Sequence, residues 1–441
     1  MTFDTFWAGV VGFVWGLPLV ITLGLAGVYF TLISGVLPLR KGKHAFAVLT
    51  GRYDSKSDPG EISHFQALST ALSATIGMGN IAGVAVAITM GGSGAVFWMW
   101  VAGALGMATK FFSCTLSVMY RKPDEDGVLQ GGPMYYIEMG LGPAFKPLAI
   151  LFAACGMVGC LGIFQANQLA AIVADQYQIE PLVTGLVAMA IVAYILFGGV
   201  TRLGSVARLV VPTMVVLYLL GGLVVIIDHS EQIPTVLRAI VYGAFDPSAM
   251  IGGGVGLAFK EVLVTGVKRA VFSNEAGVGT AALAHGAART NEPVREGLVA
   301  MLGPFIDTLV ICTMTALVIL TSGVTSGTGG VVMTAAAFDS SMPGFGAVVL
   351  LVIFALFALS TMVSYAYYSQ KCARYIFGKR NSGKFLYLYL ALLPCGAVWK
   401  SETTINIIDT AFAFMVVPNL FAVVLLAPKV LAASRDYFQR Y

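Results

Sequence analysis

The chain has 441 residues, of which 58% are hydrophobic and 11% charged, and it carries a net charge of +4. Soluble domains are about 25% charged, and no water-soluble fold has the interior volume to hide this much apolar surface. Lipid is therefore the expected solvent. Because backbone groups in hydrocarbon must satisfy one another, helices or a closed barrel are required. Apolar runs of about 20 residues without polar alternation favour helices.

Eleven membrane spans are predicted, at roughly 10–34, 66–90, 94–120, 146–177, 182–200, 206–228, 252–280, 297–322, 346–376, 384–400 and 406–427. The N-terminal stretch lacks a basic region, carries Asp4 and stays apolar to about Ser34, so it reads as a span rather than a cleavable signal peptide. Residues 231–246, with Glu231, Arg238 and Asp246 among apolar neighbours, read as a surface helix. The run Thr321 to Gly330, rich in Gly, Ser and Thr, reads as a flexible loop.

Twenty of the 26 Lys and Arg fall on one side of this scheme, from Arg40, Lys41, Lys43, Arg52 and Lys56 to Lys429, Arg435 and Arg440. Only Arg238, Lys260 and Lys400 fall on the other. Basic loops face the cytoplasm, which places the N-terminus outside, the C-terminus inside, and requires an odd number of spans. Spans two to six and seven to eleven then form two groups of five with opposite topologies, the arithmetic of an inverted repeat preceded by one extra helix.

The first member of each group is interrupted. The second span contains Thr75-Ile76-Gly77-Met78-Gly79-Asn80-Ile81-Ala82-Gly83, and the seventh contains Phe272-Ser273-Asn274-Glu275-Ala276-Gly277-Val278-Gly279-Thr280. Each glycine costs a helix about 1 kcal/mol relative to alanine. Unwinding at Gly77 and Gly79 would free amides for an anion and carbonyls for a hard cation. An amino acid's carboxylate together with Na+ fits both needs. Small residues in membrane helices also serve close packing, but polar Thr75 and Asn80 are costly at that depth.

Several other polar residues carry two readings. Glu275 is either a functional intramembrane acid or a structural carboxylate that ties loop amides or pairs with Lys268 or Arg269. Gln165 and Asn167 either face a cavity or hydrogen-bond between helices. Ser360 and Thr361 offer oxygens to Na+ or simply pack, and Lys110 with Asp307 reads as an intramembrane pair. The histidines His44, His64, His229 and His285 are expected at the surface or interface, and the six cysteines as small buried hydrophobes. There is no phosphate-binding G-x-x-x-x-G-K-[ST], nucleophile elbow or zinc spacing. A secondary transporter is therefore expected rather than a pump or an enzyme, with no nucleic-acid partner, no organic cofactor and no obligatory protein partner. An uncoupled channel or facilitator is the rival, and H+ is the alternative coupling ion.

The run Gly91-Gly92-Ser93-Gly94-Ala95-Val96-Phe97-Trp98-Met99-Trp100 resembles a signature of the alanine/glycine:cation symporter family. The runs Thr75 to Gly83, Gly131-Gly132-Pro133-Met134-Tyr135-Tyr136-Ile137 and Phe272 to Gly277 are similar to that family as well, and the likeness extends over nearly the whole chain. The resemblance implies an all-α membrane protein with the leucine-transporter-type 5+5 inverted repeat. It also implies Na+-coupled import of small neutral amino acids such as alanine, glycine or serine across a bacterial or archaeal cell membrane.

By that resemblance the Gly77, Met78 and Gly79 amides hold the substrate carboxylate, with Thr75 and Asn80 beside them. Gln165, Asn167, Phe272 and Tyr365 line the pocket, Tyr365 standing where the family usually has tryptophan. Na+ lies between carbonyls near Ser73 and Ile76 and oxygens of Ser360 and Thr361. Ser73 and Ile76 are about one helical turn apart, which lets both carbonyls converge at a break.

Overall fold

The computed structural model describes residues 3–55, 57–245, 255–324 and 330–441. Lys56, Asp246, the start of the seventh expected span at 252–254 and the loop residues 325–329 lie outside it.

Among the described residues the fold is almost wholly helical, with one two-stranded hairpin pairing Lys122–Pro123 with Leu129–Gln130. Among the described residues six helices are long and apolar enough to cross a membrane, the first Gly94–Met119 and the last Glu402–Arg440. Counting two bent pairs as one span each gives eight. These pairs are Thr5–Val14 with Leu17–Ile33, bent by 41°, and His64–Thr75 with Gly79–Gly91, bent by 52°.

The three other expected spans correspond to elements that length and apolarity do not single out. Pro181–Leu196 has only 16 residues. Val255–Asn274 carries Lys260, Glu261, Lys268 and Arg269. The third is the far end of the 53-residue run Gly346–Val398. As one straight helix that run would measure about 80 Å, far beyond a hydrocarbon core of about 30 Å. Gly378, at φ 73°, interrupts it. The Tyr389 hydroxyl then reaches back to the Met362 carbonyl at 2.6 Å, so the two halves lie side by side.

Local chemistry sets the element ends. Ser63 and Gln66 form a reciprocal capping box that starts the helix His64–Thr75. Proline in the first turn opens Leu17–Ile33, Leu37–Leu49, Pro181–Leu196 and Pro293–Ala300, where its missing N–H costs nothing. The expected surface helix at 231–246 is present as a short turn, Ser230–Gln232, followed by Ile233–Gly243.

Connections expected on the basic side meet one another. Arg121 donates to the carbonyls of Ala288 and Thr290 at 2.7 and 2.6 Å. Arg374 pairs with Asp124 at 2.8 Å and Arg440 with Glu292 at 2.7 Å. Elsewhere, Trp98 donates to the Ala244 carbonyl at 3.2 Å, and Asn167, from within the helix Ile163–Tyr177, donates to the Trp399 carbonyl at 2.6 Å.

Candidate functional site

Both interrupted segments are unwound where the glycines predict. The first helix stops at Thr75, and Ile76 turns to extended torsions, φ −72° and ψ 100°. Wide π-type turns resume at Gly79–Gly83. The second helix stops at Asn274; Glu275, Gly277 and Gly279 then take positive φ of 55°, 90° and 97° before Ala281–His285. Left-handed torsion at a non-glycine is uncommon, and Glu275 has the side-chain bonds to hold it. Its carboxylate accepts from the Thr280 hydroxyl and, at 2.5 Å, from the Tyr365 hydroxyl. Glu275 thus meets two hydroxyls rather than the loop amides or the cations expected.

The cations Lys268 and Arg269 face Asp409 instead, whose Oδ2 lies 2.7 Å from the Lys268 ammonium and 3.9 Å from Arg269. The Trp15 indole from the extra N-terminal segment donates to the Asp409 carbonyl at 2.9 Å. Asp409 is a fully buried carboxylate that sequence reading passed over, because it lies only three residues inside the start of the eleventh expected span.

The first break lies directly against the ninth expected span. The Thr361 hydroxyl donates to the Ser73 carbonyl at 3.0 Å, and the Ser73 hydroxyl donates to the Ser360 carbonyl at 2.9 Å. The Ser360 hydroxyl donates to the Phe357 carbonyl at 3.0 Å. A Cβ added at Gly77 would fall 2.6 Å from the Thr361 hydroxyl, and one at Gly79 would fall 2.7 Å from the Ser273 Cα. A side chain at 77 would crowd the Thr361 hydroxyl of the ninth span, and one at 79 would meet the backbone of the second break. Ser73, Ser360 and Thr361 bring backbone and hydroxyl oxygens of two helices together in a buried place, the kind of donor set a hard cation takes, and Ile76 is buried at the same break.

The candidate substrate residues divide. Phe272 packs edge-on to Phe164, with centroids 5.7 Å apart, and faces Phe412 at 6.1 Å; Tyr365 meets the same Phe412 at 6.4 Å. These rings form an aromatic wall beside the second break. Met78 is buried at the first break. Gln165 is buried, and its carbonyl oxygen has no hydrogen-bond partner among the described residues. The Thr75 hydroxyl back-bonds to the Ala71 carbonyl at 3.1 Å. The Asn80 side-chain oxygen accepts from the Gly77 amide at 2.8 Å, so the amide assigned to a carboxylate is met by a carboxamide from its own segment. Asn167 is used between helices, with its amide nitrogen on the Gly396 and Trp399 carbonyls at 3.1 and 2.6 Å.

Three further expectations change. Asp307 does not pair with Lys110; its carboxylate accepts from Asn80, Ser273 and Thr308, all within 2.8 Å. His64 and His285 are fully buried rather than superficial, and each presents Nδ1 to a different oxygen of the buried Glu296. Of the cysteines, Cys114, Cys160, Cys312 and Cys372 are buried as expected, whereas Cys155 is half-buried and Cys395 exposed. Toward the basic face, a cavity of about 240 Å³ is lined by Glu61, Tyr367, Gln370 and Lys371 among others. Tyr367 and Lys371 lie about two and three helical turns beyond Thr361.

The model of the sodium:alanine symporter family matches residues 1–441. An uncharacterized transporter of Haemophilus influenzae is 40% identical over 447 residues, covering 100% of this chain and 97% of that protein. The sodium/alanine symporter AgcS of Methanococcus maripaludis is 38% identical over 435 residues, covering 96% and 95%. Among solved structures, MhsT in complex with L-phenylalanine superimposes with a TM-score of 0.64 at 12% identity, over 86% of this chain and 93% of MhsT. At that identity the likeness speaks for the fold alone, a transporter fold of packed membrane helices. With a family model matching end to end and relatives near 40% identity, this multi-pass membrane protein belongs to the sodium:alanine symporter family, whose members are transporters and not enzymes.

Proposed function

We propose that this protein imports small neutral amino acids, alanine, glycine or serine, together with Na+ by alternating access. The observation that carries the reading is the interlock of Ser73 with Ser360 and Thr361 directly beside Gly77. It sets the cation's oxygens within a turn of the amides that face an anion. A bound Na+ would take the Ser73 and Ile76 carbonyls with the Ser360 and Thr361 hydroxyls, and the hydroxyl protons would turn away. That exchange makes the position of the ninth span relative to the first break depend on the ion.

The substrate carboxylate lies at the Gly77, Met78 and Gly79 amides, with Thr75 and Asn80 beside it. It shares the Gly77 amide with the Asn80 oxygen, whose hold keeps that amide turned into the break. The partnerless oxygen of Gln165 accepts from the substrate ammonium, and Phe272 and Tyr365 close the pocket around a small side chain. Asn167 holds the neighbouring helix end that borders it. In this reading the chain is one transporter domain: an extra helix at about 10–34, a first repeat at about 66–228 and a second at about 252–427, eleven spans in all. The basic face is cytoplasmic, so the N-terminus lies outside and the C-terminus inside. The cavity beyond Tyr367 then lies on the release path.

The driving force is sufficient. One charge crossing 100 mV yields about 2.3 kcal/mol, and a tenfold Na+ gradient adds about 1.4 kcal/mol, which together support roughly 500-fold accumulation. The test is uptake of labelled alanine, glycine, serine and larger amino acids by proteoliposomes, with Na+ replaced by Li+ or choline and with a proton gradient imposed separately. Concentrative uptake of the small amino acids only with Na+ is expected. Undiminished accumulation with neither gradient overturns symport, and uptake that never exceeds equilibration favours a facilitator.

A further inference from the structure

We infer that Asp307 is the positioning residue of the transport site, because its one carboxylate holds a side chain from each of the two breaks. Asp307 is fully buried in the wide-turned segment Phe305–Cys312 of the eighth expected span. Its Oδ1 accepts from the Asn80 amide nitrogen at 2.7 Å, and its backbone carbonyl accepts from the same nitrogen at 3.1 Å. Its Oδ2 accepts from the Ser273 hydroxyl and from the Thr308 hydroxyl, each at 2.8 Å. Thr308 in turn accepts from the Asn274 side chain at 2.9 Å. Asn80 belongs to the first break; Ser273 and Asn274 precede the second.

The carboxylate fixes direction as well as place. An ionised carboxylate only accepts hydrogen bonds, so Asn80 must turn its NH₂ toward Asp307. Its oxygen is thereby aimed the other way, at the Gly77 amide, 2.8 Å off. The polarity of the first break is thus set from the eighth span through a single carboxamide. The same carboxylate holds the Ser273 side chain, whose Cα is the atom a Cβ at Gly79 would strike at 2.7 Å. Loss of Asp307 frees both contacts at once, and each lies next to an amide that the proposed site presents to its anion.

The geometry suggests an exchange that preserves the bonds to the carboxylate and to the Gly77 amide, and gives up only the 3.1 Å bond from Asn80 to the 307 carbonyl. In the double variant Asn80→Asp with Asp307→Asn, the new carboxylate at 80 accepts from the Gly77 amide with one oxygen and from the new carboxamide at 307 with the other. The oxygen at 307 still accepts from Ser273 and Thr308. In Asp307→Asn alone, a single carboxamide oxygen must serve the Asn80 NH₂ and two hydroxyls, so at least one donor is left without a partner. Loss of a hydrogen bond to a buried charged group corresponds to about a tenfold change or more in an equilibrium.

The kinetic readout rests on the proposed function; a second readout does not. Hydrogen exchange of peptides covering 76–83 and 272–280 follows the two breaks with no substrate present. Asp307→Ala and Asp307→Asn should raise the KM of the transported amino acid at least tenfold, with a smaller change in Vmax per folded protein. Both should speed exchange in both peptides at least tenfold. The exchanged double variant should return hydrogen exchange in both peptides to within about threefold of the original, while its KM stays raised because a carboxylate at 80 repels that of the substrate. If Asp307→Ala does not fold, Asp307→Asn and the double variant carry the comparison. Unchanged exchange in Asp307→Asn, or a double variant that exchanges as fast as the faster single one, overturns the positioning role. Wild-type protein that transports none of the amino acids, yet shows the exchange pattern, rejects the proposed substrate and leaves the positioning role supported.

Discussion

The Tyr365 hydroxyl donates a 2.5 Å hydrogen bond to Oε1 of Glu275, from the ninth expected span to the first residue of the second break. Glu275 holds φ at 55°, and the phenol helps to fix that left-handed turn. Tyr365→Phe keeps the ring against Phe412 and removes only the donor. It should cost about 1.5–3 kcal/mol of stability, the range for a bond to a buried charged group. Thermal unfolding of the purified variant in detergent checks this. A variant as stable as the original would mean that Thr280 alone holds the carboxylate.

The contact between Gly77 and Thr361 gives a second prediction. Gly77→Ala places a Cβ 2.6 Å from the Thr361 hydroxyl, but the Thr361 Cβ is 3.7 Å away. The single variant should be destabilised by about 1–3 kcal/mol through overpacking, and adding Thr361→Ala should recover most of that. Thr361→Ala on its own should raise the Na+ concentration for half-maximal uptake well above any change in substrate KM measured at saturating Na+. If apparent Na+ affinity stays the same, Thr361 is not an ion ligand. If the double variant stays as unstable as Gly77→Ala, the close approach is not what excludes alanine.

Much of this site is legible in the sequence because breaking a membrane helix takes distinctive residues. Gly77, Gly79, Gly277 and Gly279 mark the breaks, and positive φ is found at the latter two. What could not be read was partner choice. Glu275, Lys268 and Arg269 are close in sequence and opposite in charge, yet they turn to different neighbours: Glu275 to Tyr365 and Thr280, the cations to Asp409. Asp307 meets Asn80, 227 positions away. Such pairings follow from how helices stack, and periodicity within one helix says nothing of its rotation against the next. Span counting suffers for a related reason. The helix Val255–Asn274 carries Lys268 and Arg269 against Asp409 inside the protein, whereas Lys260 and Glu261 near its start are exposed.

His44 supplies a pH dependence outside the spans. Its Nε2 lies 2.7 Å from the Tyr437 hydroxyl, docking Leu37–Leu49 onto the C-terminal helix. Burial, then the nearby charges of Lys41, Arg295 and Arg52, hold its pKa below the ordinary 6.5. The unfolded chain therefore binds the proton first as pH falls. The docking contribution is complete above pH 6.5 and is lost as pH drops through the folded value. In a pH series of unfolding temperatures, the difference between the original and His44→Gln should be constant above about pH 7 and change only below 6.5. A difference that stays flat down to pH 5 would place the titration elsewhere.

Glu296 offers the most demanding test of how the broken helices are joined away from the substrate site. His64 begins the helix that runs into the first break, and His285 ends the short helix after the second. Each gives its Nδ1 to a separate oxygen of Glu296, and all three residues are at most 1% exposed. Nearby backbone repeats the connection: Ile62 bridges Ala288 in parallel, and the Arg289 amide donates to the Ile62 carbonyl at 2.7 Å. Because one carboxylate serves both rings, removing either leaves it half-partnered in a place where an unpaired charge is costly. His64→Ala and His285→Ala should therefore not be additive. The double variant should depart from the sum of the singles by at least about 0.5 kcal/mol, whereas independent sites add within about 0.3–0.5 kcal/mol. Denaturant titration of the four proteins measures the difference. Strict additivity would mean that the backbone pairing at 59–62 and 287–290 joins the two helices, with the histidines as passengers, and Glu296→Gln should then be silent.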